Sequence, residues 1–244
     1  MGNKGKDFEH QIVDCYRKRN FSKHPPNVVT ATQLLIEEFP NEKIVHRDEI
    51  SLKGLGREVK ADMWIVLGAG QWIGVSIKMA GSVRLSSAQG RGTADKWEAA
   101  AATLDPDRQI ALQKLNERVR ELPTNMIDSG NLQKAQQRNP KKLSTAGNWN
   151  TWFAKERPLL TQHINEQLED TEIRTAVIEE MLTGRQHYAG TKGVADYILT
   201  PFYFKYIDDA YIQNTIARGV KIDVRGKSRG GITSACVHFD VTIR

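Results

Sequence analysis

Long apolar runs are missing from this 244-residue chain: the longest apolar region, Met63 to Ile77, is interrupted by Gly68, Gly70, Gln71 and Gly74. A membrane-spanning helix needs about 20 consecutive apolar residues, so no membrane partner is expected. Cysteine is scarce: Cys15 and Cys236 offer no C-x-x-C spacing, which excludes a zinc-ribbon or dithiol redox motif and fits reduced intracellular thiols. The opening MGNKGKDFEH has no apolar signal stretch, so the expected location is cytoplasmic. Eight prolines and 19 glycines occur without a repeat, which excludes collagen-like and low-complexity classes. There is no Walker A loop for nucleotide phosphates and no G-x-S-x-G for a serine nucleophile. His46, His163, His187 and His238 lack metal-ligand spacing and read as ordinary core or surface histidines.

A basic balance is present: 35 Lys+Arg against 29 Asp+Glu give a net charge of +6. That favours a polyanionic partner without naming one. Between residues 134 and 157, Lys134, Arg138, Lys141, Lys142, Lys155 and Arg157 face one acid, Glu156, with Trp149, Trp152 and Phe153 among them. Cations can neutralise phosphates while aromatic faces stack on bases. A solvated basic loop beside a helix with core aromatics is the equal alternative.

Apolar spacing predicts a helix over 5–19, through Phe8, Ile12 and Cys15/Tyr16, and a second over 30–38. Strands are expected at 43–52, 60–67 and 72–79, the last two joined by Gly68-Ala69-Gly70-Gln71 and buried on both faces. Helices follow at 93–104, 107–122 (stopped by Pro123), 151–168 and 171–182, with 123–150 irregular and a short helix at 193–199. The tail alternates Val237, Phe239, Val241 and Ile243 with polar residues, so it reads as a strand paired with 220–224. Glu166, Glu169, Glu179 and Glu180 read as solvated helix charges. The fold class is α/β (α+β): a mixed central β-sheet with flanking helices, a helical insertion and a C-terminal β-hairpin. Three portions are expected: a core at 1–105, a helical insertion with the basic segment at 106–190, and an α/β portion at 191–244.

Strand alternation places Ser76 and Lys78 on one face, folded back beside Asp62. An acid and a lysine thus meet at one edge of an otherwise apolar hairpin. A carboxylate can hold a divalent cation that activates water, and a lysine can orient that water or stabilise a phosphorane. A plain cross-strand ion pair is the alternative reading.

Ala61-Asp62 and Ser76-Ile77-Lys78, with the short hairpin between them and Glu9 on the preceding helix, resemble the PD-(D/E)xK nuclease superfamily, the restriction-endonuclease-like fold. Val75–Lys78 followed by Arg84-Leu85-Ser86-Ser87, and Glu180–Gly184 with Ala195-Asp196-Tyr197, look like nuclease-type proteins of tailed phages, which would work in the host cytoplasm. The resemblance implies a Mg²⁺- or Mn²⁺-dependent endonuclease on double-stranded DNA, often dimeric. It implies that Asp62, Glu9, Glu98 and the Ile77 carbonyl hold the metal, that Lys78 positions water, and that Ser76 lines the site. Ser76 stands where the family has its second acid, a charge that Glu98 or Asp95 on the 93–104 helix, or Glu9, would restore. Arg84, Gln89, Arg91, Lys141, Lys142, Lys227 and Arg229 are the expected DNA contacts. A catalytically inactive DNA-binding phage protein of the same fold, and an RNA-binding or RNA-processing module, remain as alternatives.

Overall fold

The computed structural model describes residues 4–50, 59–79, 84–86, 90–128, 145–227 and 236–243, with the side chains of Ala69 and Arg120 and those in 84–95, 122–153 and 220–243 outside the description. The described chain is mixed α/β and divides into two compact units, neither of them one continuous stretch. The first comprises residues 1–83 and 182–217, the second 84–181 and 218–244.

In the first unit, helices α1 (Lys4–Lys18) and α2 (Pro26–Glu38) precede a sheet. Its strands are β1 (Lys43–His46), β2 (Met63–Val66) and β3 (Trp72–Ile77), then β5 (Tyr197–Leu199) and β6 (Phe204–Tyr206), in the spatial order β1-β2-β3-β5-β6. Every pairing is antiparallel except β3 with β5, so the sheet is mixed. The first three strands pair as an antiparallel meander. The alternation of each strand explains the two cores. Ile44, Met63, Ile65, Val75 and Ile77 pack with Phe8, Ile12, Cys15 and Leu35 of the two helices. Trp64 packs instead with Val59, Ala61 and Tyr188. Burying a Leu-, Ile- or Phe-sized side chain contributes about 1.5–3 kcal/mol, so the 14 buried residues of the helix-facing cluster dominate this unit's stability. Gly74 is required on β3, because a Cβ there would stand 1.9 Å from the Val194 carbonyl oxygen.

Several boundaries differ from the sequence expectation. β1 stops at His46, where a 3-10 turn over Arg47–Glu49 takes over. α2 begins four residues early, because Pro26 at the first helical position presets φ and loses no needed N–H bond. The expected helix at 193–199 is replaced in its last residues by β5; an apolar run this short carries no usable period.

The second unit contains α3 (Gly90–Ala101), α4 (Pro106–Asp128), α5 (Thr145–Glu169), most of α6 (Thr171–Thr183), and a separate sheet. That sheet has the order β4-β8-β7, from β4 (Arg84–Ser86), β8 (Cys236–Ile243) and β7 (Val220–Lys227). The tail pairs with the 220s as expected, and β4 adds an edge that the sequence did not suggest. Helix α4 runs through Pro123 rather than stopping there, and residues 145–150 are helical. Glu180 is buried, not solvated. The chain between β6 and β7 forms α7 (Asp209–Ala217). No helix among the described residues is long and apolar enough to cross a membrane.

Candidate active site

The first unit brings together five of the residues singled out in the sequence: Glu9, Asp62, Ser76, Ile77 and Lys78. The β2–β3 register pairs Met63 with Val75, so Asp62, one residue earlier, lies opposite Ser76. The Asp62 N–H donates to the Val75 carbonyl and extends the ladder to this point. Asp62 is 6% exposed, and a buried carboxylate needs donors. Its Oδ2 accepts from the Ile77 N–H at 2.7 Å, the Ser76 hydroxyl at 3.3 Å and the Lys78 ammonium at 3.4 Å. Lys78 also donates to the Ile77 carbonyl at 3.1 Å, which fixes its ammonium against the strand end.

Asp62 Oδ1 has a different neighbour. Arg47 reaches it through Nη1 at 3.3 Å and reaches Glu9 Oε2 through Nη2 at 3.7 Å. Glu9 comes from α1, where Phe8, Ile12, Val13, Cys15 and Tyr16 are buried and Glu9 itself is half-buried. Arg47 comes from the 3-10 turn after β1. That turn is tied to α1 by Arg17, which donates to both carboxylate oxygens of Glu49 at 2.7 and 2.6 Å and to the Ile44 carbonyl at 2.7 Å. The same contact, foremost its hydrogen bonds, holds the Glu49 carboxyl below the usual carboxylate range. Two acids, Glu9 and Asp62, therefore flank one guanidinium, with a lysine on the far side of Asp62.

His46 completes the surroundings. It is fully buried at the end of β1, and its Nδ1 accepts the Asp48 N–H at 3.1 Å. Its Nε2 lies 3.7 Å from Glu9 Oε2, and both atoms are buried without a hydrogen-bond partner.

A hard divalent cation takes oxygen ligands, mostly carboxylates and carbonyls. Glu9 Oε2, buried and without a hydrogen bond, Asp62 Oδ1 and the Ile77 carbonyl, which also accepts from Lys78, are donors of that kind, so in donor chemistry these residues fit the cation the sequence resemblance implies. Asp62 Oδ2 is already used by three donors. Arg47 stands between the two acids, so an ion reaching both would take its place.

The other expected site residues belong to the second unit or lie outside the description. Glu98 stands exposed on α3, in the second unit. The Asp95 side chain is outside the described residues, as are those of Arg84 on β4, Arg91 on α3 and Lys227 on β7. Gln89, Lys141, Lys142 and Arg229 lie outside them altogether, as do Lys134 and Arg138 of the basic segment. Sequence reasoning missed Arg47, Asp48 and the role of His46. The available signal was the run His46-Arg47-Asp48-Glu49, four chemically active residues directly after the apolar Ile44-Val45.

Comparison with protein-family models, with curated proteins and with solved structures returns no match for this chain.

Proposed function

We propose that this protein is a metal-dependent endonuclease that hydrolyses phosphodiester bonds in double-stranded DNA, with a restriction-endonuclease-like first unit. One observation carries the proposal: Asp62 and Lys78 meet at the open end of the β2–β3 hairpin, with Glu9 brought in beside them by Arg47. Asp62 Oδ1, Glu9 Oε2 and the Ile77 carbonyl would hold Mg²⁺ or Mn²⁺. When bound, the cation supplies a lowered water pKa and charge neutralisation at the phosphoryl oxygens. Lys78, anchored by Asp62 and the Ile77 carbonyl, offers its remaining donor to the attacking water or to a phosphate oxygen. Ser76 is neutral and keeps Asp62 oriented, so the second negative charge of the site is that of Glu9. Arg47, with a planar fork of donors, can move from the carboxylates to a phosphate. The basic segment through Lys141 and Lys142 and the terminal hairpin through Lys227 and Arg229 would grip the duplex, Arg84, Gln89 and Arg91 would touch its backbone, and a homodimer would cut both strands.

A second reading rests on Arg47 itself. A guanidinium between two carboxylates neutralises the place where a cation would bind, as expected of an inactive DNA-binding relative. Chelator-treated protein is therefore incubated with supercoiled plasmid and linear duplex, with and without Mg²⁺ or Mn²⁺, beside Asp62→Asn and Lys78→Ala. Metal-dependent nicking or linearisation lost in both variants is the expected result. Cleavage retained in Lys78→Ala refutes the site, binding without cleavage in either metal selects the inactive relative, and preference for single-stranded RNA removes the DNA reading.

A further inference from the structure

A second cluster lies beside this site; its three donor residues are none of those proposed for the nuclease chemistry, and Glu9 borders both. His10 on α1, His46 at the end of β1 and Asp48 in the following turn each offer a donor atom within 4.8 Å of the others. His10 Nε2 lies 3.1 Å from Asp48 Oδ2, and His46 Nδ1 lies 3.9 Å from the same oxygen. Donors around a tetrahedral Zn²⁺, at ligand distances of about 2.0–2.1 Å, stand about 3.3 Å apart. The two imidazole rings lean together, with centroids 3.9 Å apart.

One side of the His46 ring is arranged as the outer side of a metal ligand would be. Its Nδ1 accepts a backbone N–H, so in the neutral ring the proton sits on Nε2. That nitrogen is buried, has no hydrogen-bond partner and faces the equally unpartnered Glu9 Oε2 at 3.7 Å. Metal-bound histidines commonly present their other ring nitrogen to a carboxylate, which fixes tautomer and orientation. The Nδ1 lone pair that now meets the Asp48 N–H is the one an ion would take. Lys6 also contacts Asp48 Oδ2, at 2.9 Å, but this is an exposed pair on a long side chain and yields readily.

We propose that His10, His46 and Asp48 bind a first-row divalent transition ion, of which Zn²⁺ is the representative, with Glu9 as the outer carboxylate that orients His46. Two imidazoles and one carboxylate select this class over Mg²⁺ or Ca²⁺, which favour all-oxygen sites. Three protein ligands leave a position for solvent or for an incoming group, and His10 and Asp48 keep that side accessible.

The test uses the whole 244-residue chain stripped with chelator. Zn²⁺ is titrated by calorimetry, Co²⁺ by its visible ligand-field bands, and the zinc-loaded protein is examined by X-ray absorption. Wild type is expected to bind one Zn²⁺ per chain with nitrogen and oxygen ligands, including two imidazoles. Glu9→Gln should weaken binding by about 10–100-fold, and His10→Ala by more. His10 is half exposed, so that variant folds normally, which circular dichroism verifies. Asp62→Asn should leave zinc affinity within about twofold, whatever it does to nuclease activity. Equal zinc binding by wild type and His10→Ala, no stoichiometric binding, or loss of zinc in Asp62→Asn in place of His10→Ala would each overturn the proposal.

Discussion

Replacing Arg47 by glutamine tests whether a cation belongs between Glu9 and Asp62. The guanidinium lies 3.3 Å from Asp62 Oδ1 and 3.7 Å from Glu9 Oε2, with side-chain exposures of 25% for Arg47, 9% for Asp62 and 12% for Glu9. At an effective dielectric of about 20, those separations correspond to ~5 and ~4.5 kcal/mol of attraction. Desolvation of the three groups offsets most of it, and removing one partner of a buried pair costs about 3–5 kcal/mol. Asp62 keeps its three other donors in Arg47→Gln, so a loss of about 2–3 kcal/mol in chelator is expected, with Glu9 carrying most of it. A divalent cation that binds both acids replaces the missing positive charge. At tenfold above its Kd it returns about 1.4 kcal/mol, and its Kd should fall because Arg47 no longer competes. Hydrogen exchange of peptides covering 4–18 and 60–79, with chelator and with Mg²⁺ or Mn²⁺, reads both effects within the first unit. A deficit that is the same with and without the cation would refute the reasoning, as would unchanged or weakened metal affinity.

Ser76→Asp places a third acid opposite Asp62; the first unit should lose stability in chelator, gain affinity for Mn²⁺ by calorimetry, and cut plasmid at least as fast as wild type. Gly74→Ala drives a Cβ to within 1.9 Å of the Val194 carbonyl, so overpacking of at least ~2 kcal/mol should lower the Tm by ~4 °C or more; an unchanged melting curve would contradict this packing. In the second unit, Asp105 accepts the Arg108 and Asp107 N–H groups and Asp170 accepts those of Ile173 and Glu172, while Arg108 bonds both acids. These bonds, foremost from the Arg108 and Ile173 backbone N–H groups, hold both carboxyls below their usual range. The stability they contribute is complete above ~pH 4 and falls as pH drops through the lowered values. Acid titration followed by hydrogen exchange of 105–128 should therefore be shallower in Arg108→Gln than in wild type.

What was legible in the sequence was local and periodic. Phe8, Ile12, Cys15 and Tyr16 marked the buried stripe of α1, and the apolar runs around Gly68–Gln71 marked a two-sided hairpin. Strand alternation then put Asp62, Ser76 and Lys78 at one edge. What was hidden depended on distant chain. Ile50 and Leu52 make 43–52 look like one continuous strand, yet the backbone leaves the ladder after His46, and only that departure presents Arg47 and Asp48. β5 returns beside β3 after more than a hundred residues, and three residues of strand carry no period of their own. No one-dimensional pattern reveals that the first unit closes across such a gap.

Under the proposed nuclease reading, Ser76 stands where an acid is expected, and the residue the sequence offers in its place, Glu98, lies exposed on α3. Inside the first unit the acid that meets the Asp62 cluster comes from α1, and it meets it through a cation. Glu9 would repel Asp62 across an uncharged gap, so Arg47 makes their approach tolerable, and Arg17, holding Glu49 and the Ile44 carbonyl, fixes the turn that carries Arg47. The acidic pair is thereby tied to the docking of α1 on β1. Any process that exchanges Arg47 for a divalent metal ion exchanges one cation for another at a site already arranged around two carboxylates. The Arg47 interaction is the element on which active and inactive readings of the same fold diverge.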